Sequence, residues 1–496
     1  MVFFMMLIVG KTRKGDCMME SILQEKRISF KEFEKKIYQF VCGLGQEIAR
    51  TMLENYDAHL AKTRDRKEYR DKGKRTTTVK TLFGEVTYER RVYQTKTEEG
   101  ERAYIYLLDS EMQMEKIGLI STNLAEQILQ TVTEAPYRST AEIITNTCGQ
   151  SISHGGVWEM VQKLGEKISK EEAHTVKEMN ADQAKGKKEI PVLFEEMDGV
   201  WLNMQGTAHE KAKKHEMKVF TMYEGWEEDP TNKRSKLVGK TVLAGMENSK
   251  EFHEKREALI EKTYNADEIQ QRILNGDGGS WIKETYDPDA IFQLDRYHIY
   301  QEILRKIADK KAQKDIRELF EEEKIEEMLE YIEMYATSTE SPNKTDKTSK
   351  KARELYKYLS NNRAGLLPYQ KRGIEIPHAP KGMKYKNMGV QENQNCTIIT
   401  LRMKHRRMRW SVCGANNMAK LLYRRENDEL IETIERYTDG FVMTMEMQKV
   451  VKNLTAAKAP KRDGKGSGYI DVINHPVPLY GAMMTASRKA FKRWLQ

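Results

Sequence analysis

The sequence predicts an α/β protein built on a mixed β-sheet, and three observations carry that expectation. Between Glu189 and about His298, β-branched apolar runs alternate with helical patterns in the order strand, strand, strand, helix, strand, short helix, strand, helix. Three strands in succession form an antiparallel meander, and strands that follow helices can join it in parallel. On both sides of this block the apolar period is that of a helix.

Size and composition bound the rest. A chain of 496 residues exceeds one ordinary core, so two to four domains are expected. Hydrophobic residues at 39% and charged residues at 32% make a polar chain that still carries enough apolar residues to fold. Lys+Arg of 84 against Asp+Glu of 75 gives +9, an excess that matters only where it clusters. The five cysteines (Cys17, Cys42, Cys148, Cys396, Cys413) form no CxxC pair, which argues against a disulfide framework or a zinc ribbon and fits a reducing cytosol. The opening "MVFFMMLIVG" is too short to span a membrane. It also lacks the basic start and small-residue cleavage site of a signal peptide. It reads as an over-extended start, with Met18 and Met19 as alternative initiators, and the protein as a soluble one with no membrane partner.

The N-terminal region, 1–180, is expected to be mainly helical with one hairpin. Phe30, Phe33, Ile37, Phe40 and Val41 share a helical face behind a capping Ser29. "KTRDRKEYRDKGKR" at 62–75 is either a solvated surface or a phosphate-contacting patch. "TTTVKTLFGEVTYERRVYQTK" reads as a hairpin around Phe83-Gly84, with a basic second strand. "RSTAEIITNTCGQSISHGGVWEMVQKLG" has the form of a helix-turn-helix: Ser139 caps a first helix, Cys148-Gly149 breaks it, and Ser153 caps a second. Any packed helical pair has the same form. In a DNA reader the first turn of the second helix meets the bases, which singles out Ser153 and His154, with Lys163 further along the same helix as another DNA-binding candidate.

The sheet domain is expected over 185–300 and again over 386–435, separated by a helical insertion at 301–385. Its strands are "EIPVLFEEMDGVWLNMQG", "EMKVFTMYEGWEE", "KLVGKTVLAGM", "EIQQRILNGDGGSWIK" and "AIFQLDRYH", with a helix capped by Ser249 before the fourth. In the insertion, "DIRELFEEEKIEEMLEYIEMY" reads as one acidic amphipathic helix and "ATSTESPNKTDKTSKK" as a polar linker. A basic tail, 436–496, contains "KRDGKGSG", which is not a phosphate loop because no buried strand precedes it.

Three acids stand out by position. Asp198 lies in the first strand, Asp277 ends the fourth, and Glu392 opens the first helical segment after the insertion. Asp277 between glycines is by itself an ordinary turn signal. If the first and fourth strands are neighbours, however, Asp198 and Asp277 stand side by side, and a helix crossing that edge delivers Glu392. Converging carboxylates repel unless hard cations such as Mg²⁺ or Mn²⁺ bridge them, and two such ions clamp the oxygens of a phosphoryl transfer. The glycines then admit a nucleic-acid backbone. Asp198 to Asp277 is 79 positions and Asp277 to Glu392 is 115, the longer interval holding the insertion. Glu426 and Glu429 compete with Glu392 for the third place. Strand alternation puts Glu196 on the face of Asp198, as an auxiliary ligand or support. Lys404, Arg406, Arg407 and Arg409 form a basic cluster suited to phosphates, and Trp410 beside them is either a base-stacking or a core residue.

These motifs, "MDGVW", "YEGW", "NGDGGSWI", "LDRYH" and "QENQ…LRMKHRRMRWSVCGANNMAKLL", resemble those of DDE-type transposases. More narrowly, the chain is similar over nearly its whole length to the ISLre-type bacterial insertion-sequence transposases, related to the Mutator-like group. The resemblance implies a ribonuclease-H-like catalytic domain with Asp198, Asp277 and Glu392 as the triad holding two Mg²⁺ or Mn²⁺ ions. "DRYH" matches that family's C/D-x-x-H signature and implies a supporting role for Asp295 and His298, although a structural histidine fits as well. It further implies binding of the element's terminal inverted repeats, DNA cleavage and strand transfer, a homodimer or larger assembly on double-stranded DNA, and a cytoplasmic, nucleoid-associated location. A nuclease of the same fold that cuts without joining and a decayed DNA-binding protein are the rival readings. A nucleotide-binding enzyme is excluded by the missing phosphate loop.

Overall fold

The computed structural model describes residues 28–97, 100–112, 120–148, 151–183, 185–206, 213–228, 235–340 and 347–438. Met18, Met19, "MVFFMMLIVG", Gly149 and the tail beyond 438 lie outside them. The described residues from 41 to 438 belong to one compact unit.

The first described helix, α1 (Phe30–Thr63), begins as its sequence dictates. Ser29 Oγ accepts from Glu32 N at 3.2 Å while Glu32 Oε2 accepts from Ser29 N at 3.2 Å, a reciprocal capping box. The hairpin follows as β1 (Arg70–Thr81) and β2 (Gly84–Lys96), closing at Thr81 opposite Gly84, and β3 (Arg102–Ile105) adds a third strand. The basic stretch 70–75 is therefore strand, and it is exposed throughout.

A short helix at Leu107–Glu111 is followed by α2 (Thr122–Glu134), α3 (Tyr137–Cys148) and α4 (His154–Asn180). Ser153 caps α4 through Gly156 N at 3.0 Å. Ser139 does not cap α3. The helix starts two residues earlier, directly after Pro136, where a missing N–H is harmless, so Ser139 lies in its first turn. Helix α4 buries Val157, Met160, Val161, Leu164 and Ile168, the i, i+3, i+4, i+7, i+11 stripe of its sequence.

The central sheet contains β4 (Val192–Asn203), β5 (Lys214–Tyr223), β6 (Thr241–Gly245), β7 (Gln271–Gly276) and β8 (Ile291–Leu294). Its order is β8-β7-β4-β5-β6. The meander β4-β5-β6 is antiparallel, whereas β7 and β8 add in parallel beside β4. This is the mixed sheet expected from the order of patterns, with the first and fourth main strands adjacent. The second strand run breaks at Gly225, whose φ of +149° turns residues 225–228 into a separate ribbon with 235–238. Between β6 and β7 lies α5 (Ser249–Thr263), capped by Asn248 rather than Ser249: the Asn248 side chain accepts from Glu251 N at 3.0 Å.

After β8 come α6 (Arg296–Lys306), α7 (Lys310–Glu321), α8 (Ile325–Ser338) and α9 (Thr348–Asn361). The acidic run expected as one helix is two, because Glu323 takes a left-handed φ of +64° and ends the first. The start of the expected linker completes α8. Ile299, Ile303, Ile316, Phe320, Met328, Ile332, Leu355 and Leu359 give these helices a core of their own. The chain returns to the sheet through α10 (Gln391–Gln394), which widens into a π-helix over Asn395–Lys404, then α11 (Val412–Glu426) and α12 (Leu430–Thr438). No described helix is long and apolar enough to cross a membrane.

Candidate active site

Strand register builds the site. Met197 of β4 and Leu294 of β8 both pair with Gly276 of β7. Asp198, Asp277 and Asp295 are the next residues on three adjacent parallel strands, and Asp295 N donates to Gly276 O at 2.8 Å. Three aspartates thus line up across the sheet at the level where β7 and β8 end, Asp198 lying inside β4, which runs on to Asn203. The ends of parallel strands are where open α/β sheets place their ligands. One row back, Glu196, Asn275 and Gln293 are also in register. Asn275 Nδ2 reaches Glu196 Oε2 at 3.1 Å and Asp295 Oδ1 at 3.2 Å, so the buried amide ties the two rows together.

Glu196 is fully buried and holds the returning helix. It accepts from Tyr223 OH at 2.5 Å and from the backbone N–H groups of Gly389, Val390 and Gln391 at 3.0–3.2 Å. Burial raises its pKa, and these donors offset only part of the rise. The anchored helix then presents Asn395, whose Nδ2 donates to Asp198 Oδ2 at 2.7 Å. Glu392 sits one turn ahead of Asn395 on the same helix and is exposed.

Asp198 Oδ1 accepts from Gly199 N at 2.7 Å, and its Oδ2 lies 3.5 Å from His298 Nε2. Asp295 caps α6 by accepting from His298 N at 3.3 Å, which fixes the backbone that carries the imidazole. Burial lowers the His298 pKa, but the hydrogen bond and charge of Asp198, with Asp295 and Asp277 behind it, raise it to about 8. Asp277 makes the turn its sequence advertises, its Oδ1 accepting from Gly279 N at 2.8 Å. The turn and the strand-end position coexist.

Among the described residues, neither Asp198 nor Asp277 has a Lys or Arg ion-pair partner. The pair therefore offers hard oxygen donors with no Lys or Arg beside them, His298 being the nearest group that can carry a positive charge, and such donors fit a divalent metal ion. No three Asp, Glu, His or Cys groups among the described residues are gathered closely enough to hold one, so Glu392 does not close the set in this conformation. The competing acids are neutralised: Glu426 pairs with Lys240, and Glu429 with Arg424 at 2.7 Å.

The opposite face of β4 shows what a balanced set of buried charges looks like. Glu195 accepts from Arg272 Nε at 2.6 Å, and Glu257 accepts from Arg272 Nη1 at 2.7 Å and from Arg256 Nη2 at 2.6 Å. Two acids and two arginines cancel there, in contrast to the aspartate row.

The basic residues are dispersed over several elements. Ser153 and His154 are exposed at the start of α4, while Lys163 pairs with Glu159 on the same helix at 2.8 Å. Lys404, the last residue of the π-helix, is exposed, as are Arg407 and Arg409 between it and α11; Arg407 has a left-handed φ of +53°, and Arg406 lies in the same turn. Arg402, by contrast, is buried, donating to Val132 O at 2.7 Å. Trp410 is a core residue: it is buried, donates to Met403 O at 2.8 Å, and meets Tyr137 edge-on. Sequence reasoning missed Asn275, Gln293 and Asn395, since amides carry no motif and their roles exist only once register and helix placement are known.

The chain belongs to the uncharacterised protein family UPF0236, whose model matches residues 23–436. It is similar to a "UPF0236 protein in vanSb 3'region" of Streptococcus gallolyticus, 25% identical over 356 residues that cover 70% of this chain and 72% of the relative. It is equally similar, at 25% over 414 residues covering 80% and 78%, to a UPF0236 protein of Caldanaerobacter subterraneus whose name carries eleven loci of that genome.

Proposed function

We propose that this chain is a DDE-type transposase with a ribonuclease-H-like catalytic domain, acting on the ends of an insertion sequence. The observation that carries the reading is the placement of Asp198 and Asp277, unpaired by any described Lys or Arg, side by side on neighbouring parallel strands, with Asp277 just past the end of its strand. The order of three antiparallel strands followed by two parallel ones supports it. So does the relative with eleven loci, because an element that copies itself leaves one protein encoded at many places.

Asp198 and Asp277 would hold divalent cations, with Glu392 brought in from α10. Two bound Mg²⁺ or Mn²⁺ ions would supply the Lewis acidity that activates water and then a 3′-hydroxyl for in-line attack on phosphodiesters. The chain's own residues prepare that site. Asn395 fixes the Oδ2 atom of Asp198, while Oδ1 takes only the N–H of Gly199. His298, with Nε2 3.5 Å from Asp198 Oδ2, stands beside the aspartates where a phosphate would approach. Helices α3 and α4 serve as the helix-turn-helix, with Ser153 and His154 toward the bases and Lys163 further along α4 among the DNA contacts, while Lys404, Arg406, Arg407 and Arg409 hold phosphates. Joining needs two DNA ends in one assembly, so the working form is a homodimer or larger complex on double-stranded DNA.

The test is a joining assay: purified protein, Mg²⁺ or Mn²⁺, a labelled duplex carrying the DNA that flanks its gene, and a target plasmid. Cleavage followed by covalent joining supports the transposase. Cleavage without joining would move the assignment to a nuclease, and binding without cleavage to a decayed DNA-binding protein.

A further inference from the structure

The turn that carries Asp277 is held by the helical insertion rather than by the sheet domain alone. Tyr358 of α9 donates its hydroxyl to Asp277 O at 2.9 Å. One turn on, buried Asn362 lies against Gly278: a Cβ there would come within 2.8 Å of Asn362 Oδ1, and Gly278 is left-handed at φ +87°. Asn362 is itself fixed, accepting from Lys283 Nζ at 2.5 Å and donating to Tyr358 O at 2.8 Å. Lys283 closes the short helix that follows the turn, so Asn362 bridges both sides of "DGGSWIK". Behind these contacts, Ala352, Leu355 and Leu359 seat α9 in the insertion's core.

We infer that Tyr358 is a positioning residue for Asp277, and that the helical insertion sets the aspartate's place in the site through this hydroxyl and the Asn362 bridge. The inference rests on the proposed function for its effect on catalysis, but not for its effect on the turn. A carbonyl pinned from α9 and a side-chain oxygen bound to Gly279 N leave Asp277 little freedom. Small misplacements of a reacting group slow the chemical step far more than they weaken binding.

Tyr358→Phe removes only the hydroxyl, and Tyr356→Phe on the same helix is the control. Two readouts are taken: amide hydrogen exchange of the segment 272–283 in the metal-free protein, and cleavage kinetics on the duplex. The expected result is faster exchange at Gly278 and Gly279 in Tyr358→Phe only, with kcat down about 10-fold and KM unchanged. Wild-type exchange and wild-type kcat in Tyr358→Phe would overturn the inference, as would equal effects from Tyr356→Phe, which would mark a general loosening of α9. If the wild-type protein does not cleave, the functional reading fails, and the exchange of Gly278 and Gly279 decides the positioning role alone.

Discussion

Glu196 and Asp198 differ by two positions on one strand, yet their surroundings give them opposite roles. Glu196 has every oxygen engaged, by Tyr223, Asn275 and the N–H groups of residues 389–391, so it fastens α10 to β4 and is a support rather than an open ligand. Glu196→Gln would turn an amide NH₂ toward these donors and strand several of them. The expected loss of stability is about 2–3 kcal/mol, read by chemical denaturation. A variant as stable as wild type would mean that α10 is held by other contacts. Asp198 keeps one oxygen shared between Asn395 and a more distant His298, the arrangement of a carboxylate left available.

At the scale of elements, packing tolerances give two further expectations. Helices α4 and α11 cross at Gly165, where a Cβ would lie 2.6 Å from Asn417 Cα and 2.5 Å from Asn417 Cβ. Backbone cannot yield as a side-chain end can, so Gly165→Ala should cost about 2 kcal/mol despite its better helix propensity, as measured by the shift in denaturation midpoint. A gain in stability would show that the helices separate freely. Glu247, just after β6, joins α5 to α11 by accepting from Lys255 and from Lys420 Nζ at 2.8 Å. Burial alone would raise its pKa, but Lys420 and Lys255 reverse this and lower it from 4.5 to about 2. A depressed carboxylate stabilises the fold above its unfolded pKa, and that contribution fades as pH falls from about 4.5 toward 2. Thermal midpoints over this window should fall less steeply in Glu247→Gln than in wild type, and parallel curves would exclude the coupling. Much at this scale was legible. Alternation and turn chemistry identified β4 to β8 and the hairpin, and Ser29 and Ser153 announced their helices. What escaped was decided by geometry that local sequence does not encode: Asn248 displacing Ser249 as cap, the left-handed Glu323 splitting a helix of unbroken amphipathic pattern, and the π-helix at Asn395.

For the molecule as a whole, an aspartate between glycines reads locally as an ordinary turn, and only the order of the strands singled out Asp198 and Asp277 together. The amides that orient them, and the insertion's bond to Asp277, depend on chain segments roughly 80 to 200 residues apart, as the Tyr358 and Asn395 bonds show. The proposed DNA-holding surface has its own signature. Replacing Lys404, Arg407 and Arg409 with Ala should weaken duplex binding regardless of sequence. It should also lower the slope of log K against log salt by about 1 for each phosphate that is no longer neutralised. An unchanged slope would remove that loop from the interface. Whether neighbouring aspartates at Asp198 and Asp277 drive phosphoryl transfer is decided by comparing wild type with Asp277→Asn in the Mn²⁺-dependent cleavage assay on the flanking duplex, with thermal midpoints measured alongside. Wild type should cleave, and the variant should lose at least about 10³-fold at an unchanged midpoint, since Asn keeps the turn while removing the charge. Equal cleavage by the two proteins would refute the metal-binding role and leave Asp277 as nothing more than a turn.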